Sequence, residues 1–264
     1  VIYRFCLKRY GPATGLLALT FYAFSPNIIA HSRFVTTDIG IAAFTFFAFI
    51  AFFKFIEKPT WTNTGIAAIF FALAQVAKFS AIILVPFFIG LAILKIYFEK
   101  KPPELINRAK KWGVPLIVML IAAFGLIWLF YVPHTINMPE PVQDKLIAQS
   151  LPGCYYTRYG QYLVQLNNLP ILKPIVQFAL GILMVVNRVQ SGNITYFLGQ
   201  VTDQSFFWYF PVSFVMKTPI PLLILMVFGI GLAIKQYLAN KPRRVWKKFG
   251  DYTRAHFVEL SFGL

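Results

Sequence analysis

From Gly65 to Phe98 the chain is almost continuously apolar, and that run excludes a water-soluble fold. A membrane-spanning helix needs about 20 mostly apolar residues, because roughly 30 Å of hydrocarbon is crossed at about 1.5 Å per residue. As one helix the run would be about 50 Å long, too long even with generous tilt. Two short passes fit it better, Thr64 to Ala77 and Ser80 to Ile96, with Lys78 marking the turn between them. Four other runs read as spans: Pro12 to Ala30, Ile39 to Ile56, Val114 to Val132 and Pro219 to Leu238. The expected fold class is all-α, a polytopic transmembrane helical bundle.

Charge gives the bundle a direction. The chain of 264 residues is 58% hydrophobic, 13% charged and carries a formal net charge of +16. On a soluble surface such an excess would point to nucleic acid, but here the basic residues fall in short clusters between apolar runs, so nucleic acid is not an expected partner and the lipid bilayer is. Lys54 and Lys58 precede the long run, while Lys100, Lys101, Arg108, Lys110 and Lys111 follow it. The positive-inside rule wants both groups cytoplasmic, so an even number of crossings separates them, and Lys78 faces outward. Arg4, Lys8 and Arg9 fall inside by the same rule, as do Lys241, Arg243, Arg244, Lys247 and Lys248.

Three regions follow from this map. Residues 1–133 are transmembrane helices with a short outer loop carrying Arg33 and Asp38. Residues 134–210 form an extracytoplasmic stretch with interfacial helices. Residues 211–264 hold a transmembrane helix and a cytoplasmic basic segment. The apolar run Pro174 to Val186 is read as interfacial or re-entrant, being short, interrupted by Gln177, and at odds with the charge map if it crosses. Phe206 to Phe210 reads as an aromatic belt leading into the last span. Cys6 and Cys154 fall on opposite sides of the membrane, so no disulfide between them is expected. The chain opens without an initiator methionine or signal-peptide pattern and stops within a new apolar stretch, and so reads as an internal fragment.

The chemistry-bearing residues are few. Of nine acidic residues, only Asp38, Glu140, Asp144 and Asp203 lie outside on this map. Asp38 is pinned between two spans, and an ionisable group at membrane depth is a functional hypothesis by default. The competing reading is a helix N-cap, with Arg33 merely pairing to it. His31 and His134 are ordinary interfacial anchors on spacing alone, and with Asp38 they offer a metal site only of nonspecific spacing. Lys78 and Lys217 stand at the outer ends of spans. Such cations commonly snorkel to lipid phosphate. Alternatively, Lys78, Lys217 and Arg33 together hold the phosphate of a lipid-linked substrate, the arginine as a planar fork and the lysines as point charges.

The stretch Ser25-Pro26-Asn27 through Ala30-His31-Ser32-Arg33-Phe34-Val35-Thr36-Thr37-Asp38 resembles a loop of the protein O-mannosyltransferase and lipid A aminoarabinose transferase superfamily, glycosyltransferase family 39. Ala77-Lys78-Phe79-Ser80 resembles that family's Thr-Lys-Phe or Thr-Lys-Gly turn. Tyr209-Phe210-Pro211-Val212 to Lys217-Thr218-Pro219 resembles a motif of its bacterial branch, so the resemblance runs through most of the chain. It implies a C-type glycosyltransferase fold with its active site at the outer leaflet, in a bacterial plasma membrane. The implied donor is a polyprenyl-phosphate-linked sugar, the implied acceptor a hydroxyl, and transfer inverts the sugar carbon. On this resemblance Asp38 and Arg33 are catalytic, while Lys78, Lys217 and His31 hold the donor phosphate. A carboxylate receives the acceptor's proton and cations stabilise the charge growing on the leaving phosphate. No cofactor is required, no Gly-rich nucleotide loop is present, and a divalent metal stays open. The family's principal carboxylate lies in its first extracytoplasmic loop, which would precede this chain. Asp38 is then the second acidic position, supporting the site, and the fragment alone is expected to be inactive. A transporter or flippase for a lipid-linked or anionic substrate is the other reading, since it too carries scarce charges at helix breaks.

Overall fold

The structure is a computed structural model that describes residues 1–34, 36–98, 105–150, 154–190, 194–203 and 206–239. Its described residues divide into two compact bodies, residues 1–39 with 194–239, and residues 40–190. The basic clusters at 100–101 and 241–248 lie outside the described residues.

The first body opens with helix α1 (Ile2–Tyr10), whose last turn carries Lys8 and Arg9, where the negative end of the helix favours cations. Gly11, at φ 91°, turns the chain into α2 (Pro12–Ala23), with Pro12 at the first helical position. The two helices pack closely at Gly15, where an added Cβ would meet the Tyr3 backbone oxygen at 3.1 Å. After Ser25, α3 (Pro26–Ser32) begins, bent by 52° from α2. The single span expected over Pro12 to Ala30 is therefore broken, for Pro26 cannot donate to the ladder and pushes Ser25 into extended backbone. Cys6 is a free thiol.

The second body takes up α4 (Asp38–Glu57) from residue 40 onward. α5 (Trp61–Ala77) starts at Thr60, whose side chain accepts a hydrogen bond from the Asn63 amide. The helix ends where the sequence marks a break: Lys78 is extended, a 3₁₀ turn covers Phe79–Ile83, and α6 (Leu84–Phe98) follows. Buried Gln75 closes this turn by donating to the Ala81 carbonyl at 2.8 Å. α7 (Leu105–Thr135) extends beyond the expected Val114 to Val132 at both ends. Helices α4 to α7 share a core of Ala, Phe and Leu, with the Phe52 and Phe88 rings stacked at 4.0 Å.

Helices α8 (Glu140–Ser150) and α9 (Cys154–Asn167) lead through a 3₁₀ turn at Pro170–Leu172 to α10 (Lys173–Gln190). Asn167 donates to the Asp144 carboxylate at 2.9 Å, tying α9 to α8, and Trp128 donates to the Ile171 carbonyl at 2.7 Å. The stretch Pro170–Gln190 is 21 residues long and apolar enough to cross a membrane. The length argument for reading Pro174 to Val186 as interfacial therefore falls away. Its polar C-terminal residues Asn187, Arg188 and Gln190 had shortened the apolar run without ending the helix. Gly181 of α10 packs on the Phe79 ring so closely that an added Cβ would overlap it. We expect Gly181→Val to destabilise the protein by about 1–3 kcal/mol through overpacking, seen as a lower thermal midpoint in detergent. An unchanged midpoint would show that Phe79 rotates away freely.

Back in the first body, strands β1 (Thr195–Phe197) and β2 (Gln200–Thr202) form an antiparallel hairpin, a departure from an all-helical chain. α11 (Tyr209–Lys217) and α12 (Ile220–Ala239) follow, bent from one another by 115° around Thr218 and Pro219. Among the described residues, four helical stretches are long and apolar enough to span a membrane, or up to six if each bent pair counts as one span.

Candidate functional site

Asp38 is the first residue of α4, at the end where a helix favours negative charge. Its approach is a short non-helical link. α3 closes at Arg33, whose amide donates to the Ala30 carbonyl at 3.3 Å, and the Thr36 amide donates to the Phe34 carbonyl at 2.8 Å. This link folds the last turn of α3 toward the start of α4 and brings His31 Nδ1 to 3.6 Å from Asp38 Oδ2. The two side chains are 52% and 43% exposed, so water screens the pair and its own contribution to stability is at most about 1 kcal/mol. Its use lies in placement: a carboxylate held beside an imidazole at the mouth of a span. Arg33, on the same link, is exposed. The sequence joins His31 to Asp38 only by a nonspecific spacing; their direct approach depends on the backbone path between two helices.

Lys217 belongs to the same body. It is the last residue of α11, exposed, and its backbone carbonyl accepts a hydrogen bond from the Asn27 side chain at 2.8 Å. Asn27 is the second residue of α3, so this bond ties the Lys217 backbone to the helix carrying His31. Sequence reasoning gave Asn27 no role beyond its place in a motif. We expect Asn27→Ala to cost about 1 kcal/mol, the net worth of one hydrogen bond, measured by denaturant unfolding in detergent. Wild-type stability would show that the α3–α11 tie contributes nothing.

Lys78 stands in the other body, exposed, at the break between α5 and the 3₁₀ turn. The turn that holds it is well braced: the Lys78 amide donates to the Ala74 carbonyl at 3.2 Å and the Ala81 amide to the Lys78 carbonyl at 2.9 Å. In the same body a cavity of about 450 Å³ lies between α5 and α7, lined by Leu73, Val76, Phe130 and other apolar side chains, with His134 supplying its polar edge. Among the described residues no group of three or more His, Cys, Asp or Glu side chains gathers as a metal centre, so His31, Asp38 and His134 do not form one.

These features define a multi-pass helical membrane protein with a carboxylate, an imidazole and cations at helix breaks. Residues 1–128 match the family model described as dolichyl-phosphate-mannose-protein mannosyltransferase, a likeness to that general glycosyltransferase superfamily. The matched portion contains His31, Arg33, Asp38 and Lys78 and stops short of Lys217. No curated protein and no solved structure matches the chain.

Proposed function

We propose that the chain is part of a membrane glycosyltransferase that moves a sugar from a polyprenyl-phosphate donor to a hydroxyl acceptor at the non-cytoplasmic face. The observation that carries this reading is the His31–Asp38 pair at the head of α4, within the portion that matches the mannosyltransferase family. Asp38 takes the supporting role: a carboxylate at a helix N-terminus sits at the end of the helix that favours negative charge, suited to orienting an acceptor hydroxyl or balancing nearby cations. Arg33, His31 and Lys217 are assigned to the donor phosphate, where positive charge lowers the barrier most if it meets the charge growing on the leaving oxygen. The apolar cavity beside His134 suits a hydrocarbon tail.

The two bent helix pairs are the feature a transporter would share, since half-helices at membrane depth build ion and substrate sites there. One assay separates the readings. The protein expressed from its complete gene, in detergent or vesicles, is given labelled polyprenyl-phosphate mannose and a panel of hydroxyl acceptors, with and without a chelator. Label on an acceptor supports the transferase, and the chelator arm reads metal dependence. Label that crosses the bilayer still attached to its lipid, with none on any acceptor, would sink it.

A further inference from the structure

The β1–β2 hairpin is amphipathic in the opposite sense to a loop that rests in water. Its turn passes through Leu198 at φ 49° and Gly199 at φ 86°, two consecutive positive values of the kind a tight two-residue hairpin turn requires. Glycine adopts that backbone readily. Leucine does not, and Asn or Asp is the usual residue at the first position. The sequence thus accepts an awkward backbone and places an apolar side chain at the tip, 73% exposed. One face of the hairpin is anchored: the Phe197 ring lies 5.1 Å from Phe206 and 5.6 Å from Tyr209, centroid to centroid. The other face carries Tyr196 and Val201, direct cross-strand partners, 68% and 67% exposed. Exposed Phe207, Trp208 and Phe210 extend the apolar surface to the start of α11.

Continuity with a membrane helix identifies what covers this surface. The hairpin joins α11, and α11 joins apolar α12 through a bend of 115°, closer to perpendicular than to straight. Taking α12, 20 mostly apolar residues, as the crossing segment of this bent pair, α11 runs nearer the membrane plane than the membrane normal, which keeps its aromatic start close to the interface. Tyr and Trp are the residues enriched at that depth. Lys217, at the far end of α11, adds a cation suited to lipid phosphate, while Asp203 at the base of the hairpin is the acidic residue of the segment. We propose that the hairpin and the Phe207–Phe210 flank form a wedge seated in the headgroup region of the bilayer, on the side where α12 enters. The wedge holds α11, and with it Lys217, at phosphate depth. It requires no sugar transfer and stands whether or not the transferase reading holds.

The test uses the whole chain with Cys6→Ser and Cys154→Ser, reconstituted in phosphatidylcholine–phosphatidylglycerol vesicles. An environment-sensitive fluorophore is attached at Tyr196→Cys, Leu198→Cys or Val201→Cys, and at Gln200→Cys as the control on the anchored face. Lipids brominated near the carbonyl end of the acyl chain are expected to quench the first three labels several-fold more than the control, and aqueous iodide to show the reverse order. Iodide reaching all four labels equally would overturn the wedge. So would shielding of the three labels from both quenchers, the outcome expected if a second copy or an acceptor polypeptide covers the face. Three independent positions, each read only on protein that elutes as a single species, guard against one variant that misfolds.

Discussion

Asp38→Asn is expected to lower sugar transfer by on the order of 10²-fold while leaving membrane insertion and thermal stability unchanged. The choice of Asn separates the two readings of this residue. Asn serves a helix N-terminus about as well as Asp, so a residue that only caps α4 would tolerate the change without loss. A carboxylate that faces an acceptor or balances cations would not tolerate it, because the substitution removes the negative charge and keeps the shape. His31 Nδ1 at 3.6 Å would lose its anionic neighbour at the same time. The measurement is turnover of labelled polyprenyl-phosphate mannose by protein expressed from the complete gene, beside a melting curve of the same preparation. Wild-type turnover with a wild-type melt would return Asp38 to a capping role and withdraw it from the site.

Much of the helical order was legible because the bilayer imposes it. A run that is too long for one crossing must break, and the cationic residue inside the run marks where. The structure breaks α5 at Lys78 accordingly. Pro219 marks the start of the last helix, whereas Pro26 sits inside a run that reads as one span and bends it through the constraint proline places on the residue before it. Other features were hidden for physical reasons. The apolar run of α10 stops at Val186, whereas backbone hydrogen bonding carries the helix on to Gln190. The hairpin gives only a weak local signal, because its turn uses Leu198-Gly199 in place of Asn-Gly or Asp-Gly.

The site was legible only as residue types. The candidate roles of His31, Arg33, Asp38 and Lys217 rest on charge scarcity and motif resemblance, and three spatial relations around the candidate residues depend on tertiary structure. The His31–Asp38 approach needs the path of the chain between α3 and α4. The Asn27–Lys217 bond joins residues 190 positions apart. The setting of Lys78 rests on Gln75, which is buried and reaches across the turn to Ala81. No spacing rule on a single sequence reports such contacts, because each depends on how separate helices pack.

The second large effect is expected at Lys217. Lys217→Ala should lower the transfer rate by about 10²–10³-fold if its ammonium stabilises charge on the leaving phosphate, the range seen when one preorganised donor to a developing anion is removed. The substitution is clean because Asn27 bonds the backbone carbonyl of residue 217, and alanine keeps that carbonyl. Any loss then belongs to the side-chain charge and not to the α3–α11 tie, which Asn27→Ala probes separately. Lys217→Arg should restore part of the rate, since it returns the charge but spreads it over a planar fork. A lysine that only snorkels to lipid phosphate predicts a different pattern: full turnover in Lys217→Ala, with at most a small change in vesicle binding at low salt. Measuring kcat and KM for the lipid donor decides between them, because transition-state stabilisation appears in kcat whereas plain donor attraction appears in KM.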